Sequence, residues 1–118
     1  MQDKVRLAEK LAGFSEHWAP RIVARYNENE VRLVKVAGDF LWHQHPETDE
    51  LFLVLRGRLD IEMRDRTVSL GPGELFVVPR GTEHRPRARA GEAELLVIDP
   101  VDTPNTGDHT TATRAVEA

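Results

Sequence analysis

The feature that most constrains the fold is a series of short apolar–polar alternations between residues 21 and 98. Side chains two positions apart in a strand point to the same face, so this period of two predicts β-strands. Turn signals such as Asn27-Glu28-Asn29 and Gly71-Pro72-Gly73 separate the segments. Short strands in this rhythm, with almost no helix, predict an all-β barrel or double-sheet roll. The predicted strands cover residues 21–26, 30–36, 40–45, 51–56, 58–64, 67–70, 74–79, 84–90 and 93–98.

The two ends of the chain depart from this strand pattern. Residues 3–12 predict a short helix, because their apolar side chains fall on one helical face, Asp3 can cap the start and Gly13 ends it. In the tail, residues 103–107 either fold back over a barrel mouth or extend into solvent. The predicted organisation is a helix and connector over residues 1–20, a β-barrel over residues 21–100 and a partly mobile tail over residues 101–118.

Length and composition limit the partners and the location. At 118 residues the chain is large enough for one domain with one core. Its net charge of -4 offers no concentrated basic surface, so we expect no nucleic-acid partner. It contains no cysteine, so any bound metal must be held by histidine and carboxylate. The N-terminus lacks a hydrophobic signal core and no apolar run reaches about 18 residues, so we expect no membrane association and a cytoplasmic location.

Four residues have the chemistry and spacing of metal ligands. His43 and His45 lie two positions apart and so present two imidazoles on one strand face. Glu50 follows after a short corner, and His84 offers a third imidazole from a later strand. Three neutral nitrogens and one carboxylate suit one divalent ion per chain, from the set Fe, Mn, Ni, Cu and Zn. Because bound metal needs neutral imidazoles, the predicted metal affinity falls as the pH drops through about 6.5.

The neighbours of these residues admit structural and functional interpretations. Asp49 and Glu47 are candidates to orient the imidazoles, since ligand histidines usually donate their other N–H to an acceptor. For Glu47 a loop carboxylate in water is the plainer interpretation. Trp42 alternates with the ligands and is predicted to pack on the side away from the metal. His17 and His109 have no partner at ligand spacing and are predicted to be solvated.

The strand that begins at His84 indicates a cavity. If His84 points inward, Pro86, Ala88 and Ala90 point inward too, and small side chains beside a ligand leave room for a bound molecule. The intervening side chains then form an outward ridge that consists of Arg85, Arg87 and Arg89.

These residues resemble the two motifs of the cupin superfamily, a group of small β-barrels. The first motif reads here as Gly38, His43-x-His45, Glu50 and Gly57, and the second as Gly73, Pro79-x-Gly81 and His84. The resemblance implies a cupin-type double-stranded β-helix, or jelly-roll barrel, with a metal ion held by His43, His45, Glu50 and His84. In particular, the chain is similar to the small single-domain cupins of bacteria.

Two positions depart from the usual cupin motifs. Gly38 and His43 stand one residue closer than usual, which predicts a tighter turn rather than a lost site. Ala88 occupies the position where an Asn often ends the second motif, so one polar contact to a substrate is missing.

The ligand set supports several functions. Four protein ligands leave a six-coordinate ion with open positions for O₂ and substrate, so the leading hypothesis is an oxidoreductase of the dioxygenase type acting on a small organic substrate. The resemblance to cupin dioxygenases implies that Glu50 also acts as a catalytic base. One alternative is a non-redox isomerase, cyclase or lyase for a sugar-like or keto-acid-like substrate, in which the metal polarises a carbonyl. Another alternative is a cluster kept for stability, or a barrel that binds a small ligand without catalysis.

Charged residues in the cavity distinguish these alternatives. An enzyme acting on sugar acids should place cations inside, and the predicted alternation offers Arg56 as the main inward candidate and Arg80 at the mouth. A dioxygenase for apolar substrates would prefer the Phe, Leu and Val side chains that dominate the predicted lining, which favours the first hypothesis.

Two strands are apolar on both faces, which indicates a covered outer surface. The segments are residues 50–55 and 95–98, and a barrel wall open to water would be polar outside. The N-terminal helix can cover part of this face, and a second subunit is expected to cover the rest. The sequence therefore predicts a homodimer.

Overall fold

The computed structural model describes residues 1–118, and its regular elements are almost all β-strands. The elements are α1 (Leu7–Leu11), β1 (Arg21–Tyr26), β2 (Asn29–Asp39), β3 (Glu50–Arg56), β4 (Leu59–Met63), β5 (Thr67–Leu70), β6 (Leu75–Val78), β7 (His84–Pro100) and β8 (Val116–Glu117). No helix is long and apolar enough to cross a membrane. The predicted all-β class with a short N-terminal helix is confirmed.

The long strand β7 belongs to two sheets. Residues 93–100 pair antiparallel with β2 on one side, and residues 94–98 pair with β3 on the other. Residues 84–87 pair instead with β4, while the end of β2 stays beside Arg87 and Ala88. One sheet therefore has the order β6-β3-β7-β2-β1-β8 and the other the order β5-β4-β7-β2. This arrangement is a double-sheet roll whose strand pairing does not close into a ring, and it confirms the predicted jelly roll.

The core lies where the inward faces of the strands meet. Twelve buried apolar side chains form one cluster, with Val54, Leu59, Ile61 and Leu95 at 0–1% exposure. Burying a Leu or Ile side chain fully contributes roughly 1.5–3 kcal/mol, so the inward-facing strand positions stabilise the roll.

Two predicted strand boundaries are wrong because glycine allows a strand to bulge as well as to turn. Gly38 was expected to end a strand, but β2 continues through it with a register shift and a φ of 72°. Residues 40–45 form no regular strand, although His43 keeps a bridge to His84. Near Gly91, with a φ of 123°, two predicted strands are one bent strand, β7. A bulge of this kind bends the strand without ending its pairing.

The N-terminal helix is shorter than predicted. It starts after Arg6 rather than at Asp3, whose carboxylate accepts a hydrogen bond from the Lys4 N–H instead. No residue of α1 is buried, whereas Phe14 in the following connector is buried beside Arg21 and Lys35.

The C-terminal segment lies against the roll. Residues 103–107 fold back over the barrel mouth, where Thr106 is buried and the Asn105 side chain donates to the Trp18 carbonyl at 3.1 Å. Strand β8 then pairs parallel with β1 and covers its edge. Of the two alternatives left open by the sequence, the fold over the mouth is the one observed.

Candidate metal centre

The four predicted ligands come together inside the roll. His43 and His45 lie in the segment after β2, Glu50 begins β3 and His84 begins β7. All four side chains are buried, and one donor atom from each lies within 4.8 Å of the others. The antiparallel bridge between His43 and His84 joins the two motifs directly.

The free nitrogens of this cluster fit a metal ion. His45 Nε2 and His84 Nε2 are buried and have no hydrogen-bond partner. Buried polar atoms are normally paired, so an unpaired lone pair in such a place calls for another partner. Metal–nitrogen and metal–oxygen bonds would be about 2.0–2.2 Å long, so donor atoms that lie within 4.8 Å of one another surround a space of about the size that one ion needs. Three imidazoles and a carboxylate are a donor set typical of divalent first-row metals.

Backbone carbonyls orient two of the imidazoles. His43 Nδ1 lies 2.9 Å from the Leu41 carbonyl oxygen, and His84 Nδ1 lies 2.9 Å from the Thr82 carbonyl oxygen. A carbonyl can only accept, so each Nδ1 carries the hydrogen and each Nε2 is left with a lone pair for a metal. In both cases the acceptor is two residues before the histidine.

Asp49 does not orient the histidines as expected. Its carboxylate accepts from the backbone N–H of Arg80 at 2.9 Å and from the Arg80 side chain at 3.2 Å. It therefore anchors the turn before His84, while Glu47 is exposed. The backbone carbonyls of Leu41 and Thr82 take the orienting role instead.

Burial and proximity set the charges of the cluster. Burial lowers the pKa of His43 to about 4, so this imidazole is neutral near pH 7 and available as a ligand. Burial opposes ionisation of Glu50, but the nearby imidazoles of His45 and His84 outweigh burial and hold its pKa below the usual range. His45 Nε2 lies 3.3 Å from Glu50 Oε1, and His84 Nε2 lies 3.6 Å from the same oxygen.

A cavity opens beside His43 and Glu50. Its volume is about 40 Å³, and the surface of its walls is mostly apolar. Trp18 and Phe40 line it and stack with ring centroids 4.7 Å apart, and Trp18 Nε1 donates to the Ala37 carbonyl at 3.0 Å. The connector therefore supplies part of the wall next to the candidate centre.

The predicted inward face of β7 is correct over only part of its length. Pro86 lines the cavity and Ala88 is buried, but Ala90 is exposed because β7 bends at Gly91. The arginine ridge points outward as expected. There Arg85 and Arg87 both bind Glu62, and Arg87 also binds Asp39. Arg89 is exposed.

Sequence reasoning missed a buried charged group beside the cavity. Arg32 and Asp99 line the cavity and are each 2% exposed, and Glu30 is buried next to Arg32. Their inward position follows the same alternation as Val34 and Val36 in β2, so the phase of the strand could have revealed Glu30 and Arg32. Burial raises the pKa of Asp99 well above its ordinary value, and the adjacent Glu50 carboxylate raises it further.

The cations predicted for the cavity are elsewhere. Arg56 is exposed at the end of β3, so the inward assignment is wrong. Arg80 is exposed and paired with Asp49.

Three further aromatic residues, Trp42, His109 and His17, lie outside the cluster of candidate ligands. Trp42 faces away, as predicted, with the guanidinium groups of Arg64 and Arg85 at 3.7 and 5.3 Å from its ring. His109 is exposed. His17 is not simply solvated, because its Nε2 lies 2.7 Å from Glu92 Oε2.

A double-sheet roll with three histidines and one glutamate buried beside a cavity defines a class of small barrel proteins with a candidate metal centre. The chain belongs to the cupin family, since the family model described as "Cupin domain" matches residues 30–99.

The chain is also similar to known proteins in sequence and in structure. The chain is 38% identical over 90 residues to the Bacillus subtilis (strain 168) uncharacterized protein YdbB, an alignment that covers 75% of this chain and 74% of that protein. A crystal structure of a cupin-2 domain containing protein from Shewanella frigidimarina is 42% identical with a TM-score of 0.80, covering 81% of this chain and 93% of that one. Protein NMB1881 from Neisseria meningitidis is 30% identical with a TM-score of 0.76, covering 83% and 99%.

Proposed function

We propose that this protein is a metal-dependent oxidoreductase of the dioxygenase type that acts on a small organic substrate. The observation that carries the proposal is the buried cluster of His43, His45, Glu50 and His84, with two orphaned imidazole nitrogens, beside a largely apolar cavity. When bound, a divalent metal such as Fe(II) supplies open coordination positions at which O₂ and substrate meet.

The residues of the chain have separate roles in this proposal. The three imidazoles hold the ion, and the carbonyls of Leu41 and Thr82 keep two of them in the required tautomer. Glu50 is the fourth ligand and, because its carboxylate also lines the cavity, we assign it the role of a general base toward the substrate. The apolar walls exclude water and orient the substrate.

The charges around the cavity favour this proposal over sugar-acid chemistry. Arg56 and Arg80 are both exposed, so neither offers a cation to a substrate carboxylate. Arg32 lines the cavity, but its guanidinium already binds Glu30 at 2.7 Å and the Thr103 carbonyl at 2.9 Å. An acidic substrate would therefore find no free positive charge beside the candidate centre.

Oxygen consumption tests the proposal. The full chain is freed of metal, reloaded separately with Fe(II), Mn, Ni, Cu and Zn, and supplied with a panel of small apolar substrates. We expect O₂ uptake in step with substrate loss for a redox-active metal, none with zinc, and none for the Glu50→Gln variant. The His109→Ala variant is the matched control, since His109 is exposed and outside the cluster. Turnover by the zinc-loaded protein without O₂ would show non-redox chemistry and overturn the proposal.

We also propose that two copies associate through the outer face of β3, β6 and β7. Strand pairing places two apolar rows side by side on this face, each crossing β6, β3, β7 and β2 in that order. The first row is Leu75, Leu53, Leu96 and Leu33, and the second row is Val77, Leu51, Ile98 and Val31. At the β2 end Leu33 is fully buried, whereas at the β6 end Leu75 is 57% and Val77 is 41% exposed. A contiguous apolar face of this kind is typical of a subunit contact. Light scattering tests it, and a monomer at micromolar concentration would contradict it.

A further inference from the structure

The cavity beside the candidate centre is too small for an organic substrate. Its volume is about 40 Å³, whereas pockets for small organic ligands usually measure roughly 300–1,000 Å³. Most of its wall is fixed, because it belongs to β2, β3 and β7, whose backbones are joined by strand pairing. A substrate therefore enters only if a part of the wall outside the strands moves.

Three parts of the wall lie outside the strands, and they are held to different degrees. In the segment before the histidines, the Phe40 N–H donates to the Pro86 carbonyl at 2.9 Å. In the N-terminal connector, the Trp18 N–H donates to the Lys35 carbonyl at 2.8 Å. The third part is Asn105, whose backbone makes no hydrogen bond and whose side chain alone connects it to the connector. Asn105 is therefore the part of the wall that moves most easily.

Asn105 belongs to a segment that spans open space, residues 104–113, which we name the lid. Between β1 and β2 on one side and the C-terminal segment on the other lies a cavity of about 740 Å³. Thr106 is the only buried residue of the lid. One hydrogen bond joins the lid to the rest of the chain, from Asn105 Nδ2 to the Trp18 carbonyl at 3.1 Å. A segment with so few buried contacts opens locally at a low free energy.

The lid also rests directly on the segment that carries two candidate ligands. Gly107 has a φ of 76°, and its backbone lies against Gln44, the residue between His43 and His45. A Cβ on Gly107 would overlap the Gln44 carbonyl oxygen. Glycine is needed here because only its backbone can come this close in this conformation.

We propose that residues 104–113 open and close over the candidate metal centre, and that the substrate enters when this lid lifts. Asn105 and the contact between Gly107 and Gln44 hold the lid closed. Thr103 stays in place as the hinge, since Arg32 Nη1 donates to its carbonyl at 2.9 Å. The need to admit a substrate rests on the proposed function, whereas the motion is a property of the chain alone.

A single thiol on the cavity wall reports the opening of the lid. The chain contains no cysteine, so Val34→Cys places one thiol beside the cavity and Val54→Cys places one in the core away from it. The full, metal-free chain is treated with DTNB, an aromatic disulfide larger than the cavity. We expect Val34→Cys to react about tenfold or more faster than Val54→Cys, because local opening precedes global unfolding.

Two results of this comparison would overturn the proposal. Equal rates for Val34→Cys and Val54→Cys would show that the cavity opens only when the whole chain unfolds. A rate for Val34→Cys as high as that of Ser15→Cys, whose position is exposed, would show that nothing closes the cavity.

Variants of the lid show whether it controls this access. Asn105→Ala removes the hydrogen bonds to the Trp18 carbonyl and from the Thr113 N–H. It should speed the reaction of the thiol at position 34 by on the order of tenfold, since each ordinary hydrogen bond contributes up to about fivefold. The thiol at position 54 should react at its original rate.

Gly107→Ala should likewise speed the reaction at position 34, because the added Cβ pushes the lid away from Gln44. Gly73→Ala is the matched control, since Gly73 has a φ of 81° and a Cβ there meets nothing within 4 Å. It should leave the rate at position 34 unchanged. An unchanged rate in either lid variant, or an equal increase at position 54, would overturn the proposal. None of these measurements uses a metal, O₂ or a substrate, so a failure of the lid is distinguishable from a failure of the proposed oxidoreductase function.

Discussion

At the scale of single residues, the candidate centre is built by backbone carbonyls as well as by side chains. The carbonyls of Leu41 and Thr82 each hold an imidazole two residues later in the chain, so the Nε2 atoms of His43 and His84 face inward without help from a metal. Oriented donors lose less conformational freedom when an ion binds, which favours tight binding.

Removal of one imidazole should show how much the centre depends on its complete donor set. We expect His45→Ala to weaken zinc binding by more than about a hundredfold, since changes outside the ligand set alone cost 10–100-fold in known sites. The measurement is the zinc content and affinity of the purified variant, with His109→Ala as the matched control. Zinc bound at full stoichiometry with the original affinity in His45→Ala would contradict the assigned ligand set.

At the scale of elements, β7 is the strand on which both sheets depend. Its bulge near Gly91 lets residues 84–88 carry His84 toward the candidate centre while residues 93–100 pair with β2 and β3. The turn between β3 and β4 packs directly on this bulge through Gly57.

Gly57 should therefore be less replaceable than another glycine of the same conformation. A Cβ on Gly57 would lie 2.7 Å from the Glu92 carbonyl oxygen and 2.9 Å from Ala93 Cα, whereas a Cβ on Gly73 meets nothing within 4 Å. Both have φ near +80°, which disfavours any other residue by roughly 1–2 kcal/mol. We expect Gly73→Ala to lose about that much free energy of unfolding in urea titrations, and Gly57→Ala to lose clearly more. Equal losses would show that the contact with β7 is unimportant.

The ion pairs that join β4 to β7 should make stability depend on pH. Arg87 and Arg85 bind the Glu62 carboxylate at 2.7 and 2.8 Å. The Arg87 hydrogen bond, together with that from Arg85, holds the pKa of Glu62 below its ordinary value of 4.5. A carboxyl whose pKa is lower in the folded chain stabilises the fold above its unfolded pKa, and this contribution is lost as the pH falls toward the folded value.

The expected result is a stability difference between the wild-type protein and Glu62→Gln at pH 7 that shrinks as the pH falls below about 4.5. Urea midpoints measured across this range check it. Glu47→Gln is the matched control, because Glu47 is exposed and forms no ion pair, and it should show no such trend. A difference for Glu62→Gln that is constant with pH would contradict the role of these ion pairs.

At the scale of the whole molecule, the outer face of the first sheet should determine the oligomeric state. A charge within an apolar subunit contact is costly to bury, so Leu75→Glu at the exposed β6 end of this face should convert the proposed dimer to a monomer. Sedimentation or light scattering gives the mass. Leu41→Glu is the matched control, since Leu41 is also exposed but lies outside this face, and it should remain dimeric. An unchanged mass for Leu75→Glu would place any contact elsewhere.

Several features of this molecule could be predicted from the sequence because they depend on local periodicity and residue chemistry. The alternation of β4, with Leu59 and Ile61 inward, requires only the pleat of a strand. The positive φ angles of Gly38, Gly57, Gly73 and Gly81 match the glycines of the two motifs. The four candidate ligands are the His and Glu residues whose spacing places them together, and the structure brings all four within one cluster.

From the sequence, then, follow the all-β class, the inward faces of strands such as β4 and the four residues that meet at the candidate centre. The phase of β2 indicates that Arg32 points inward, but the burial of Arg32 and Asp99 beside the centre, the exposure of Arg56 and the bend of β7 at Gly91 depend on the tertiary structure. The physical reason is that a buried charge is tolerated only with a partner, and the partners of Arg32 come from its own strand and from residues about 70 positions away. Likewise, whether a glycine turns a chain or bulges a strand depends on the neighbouring strand with which it pairs.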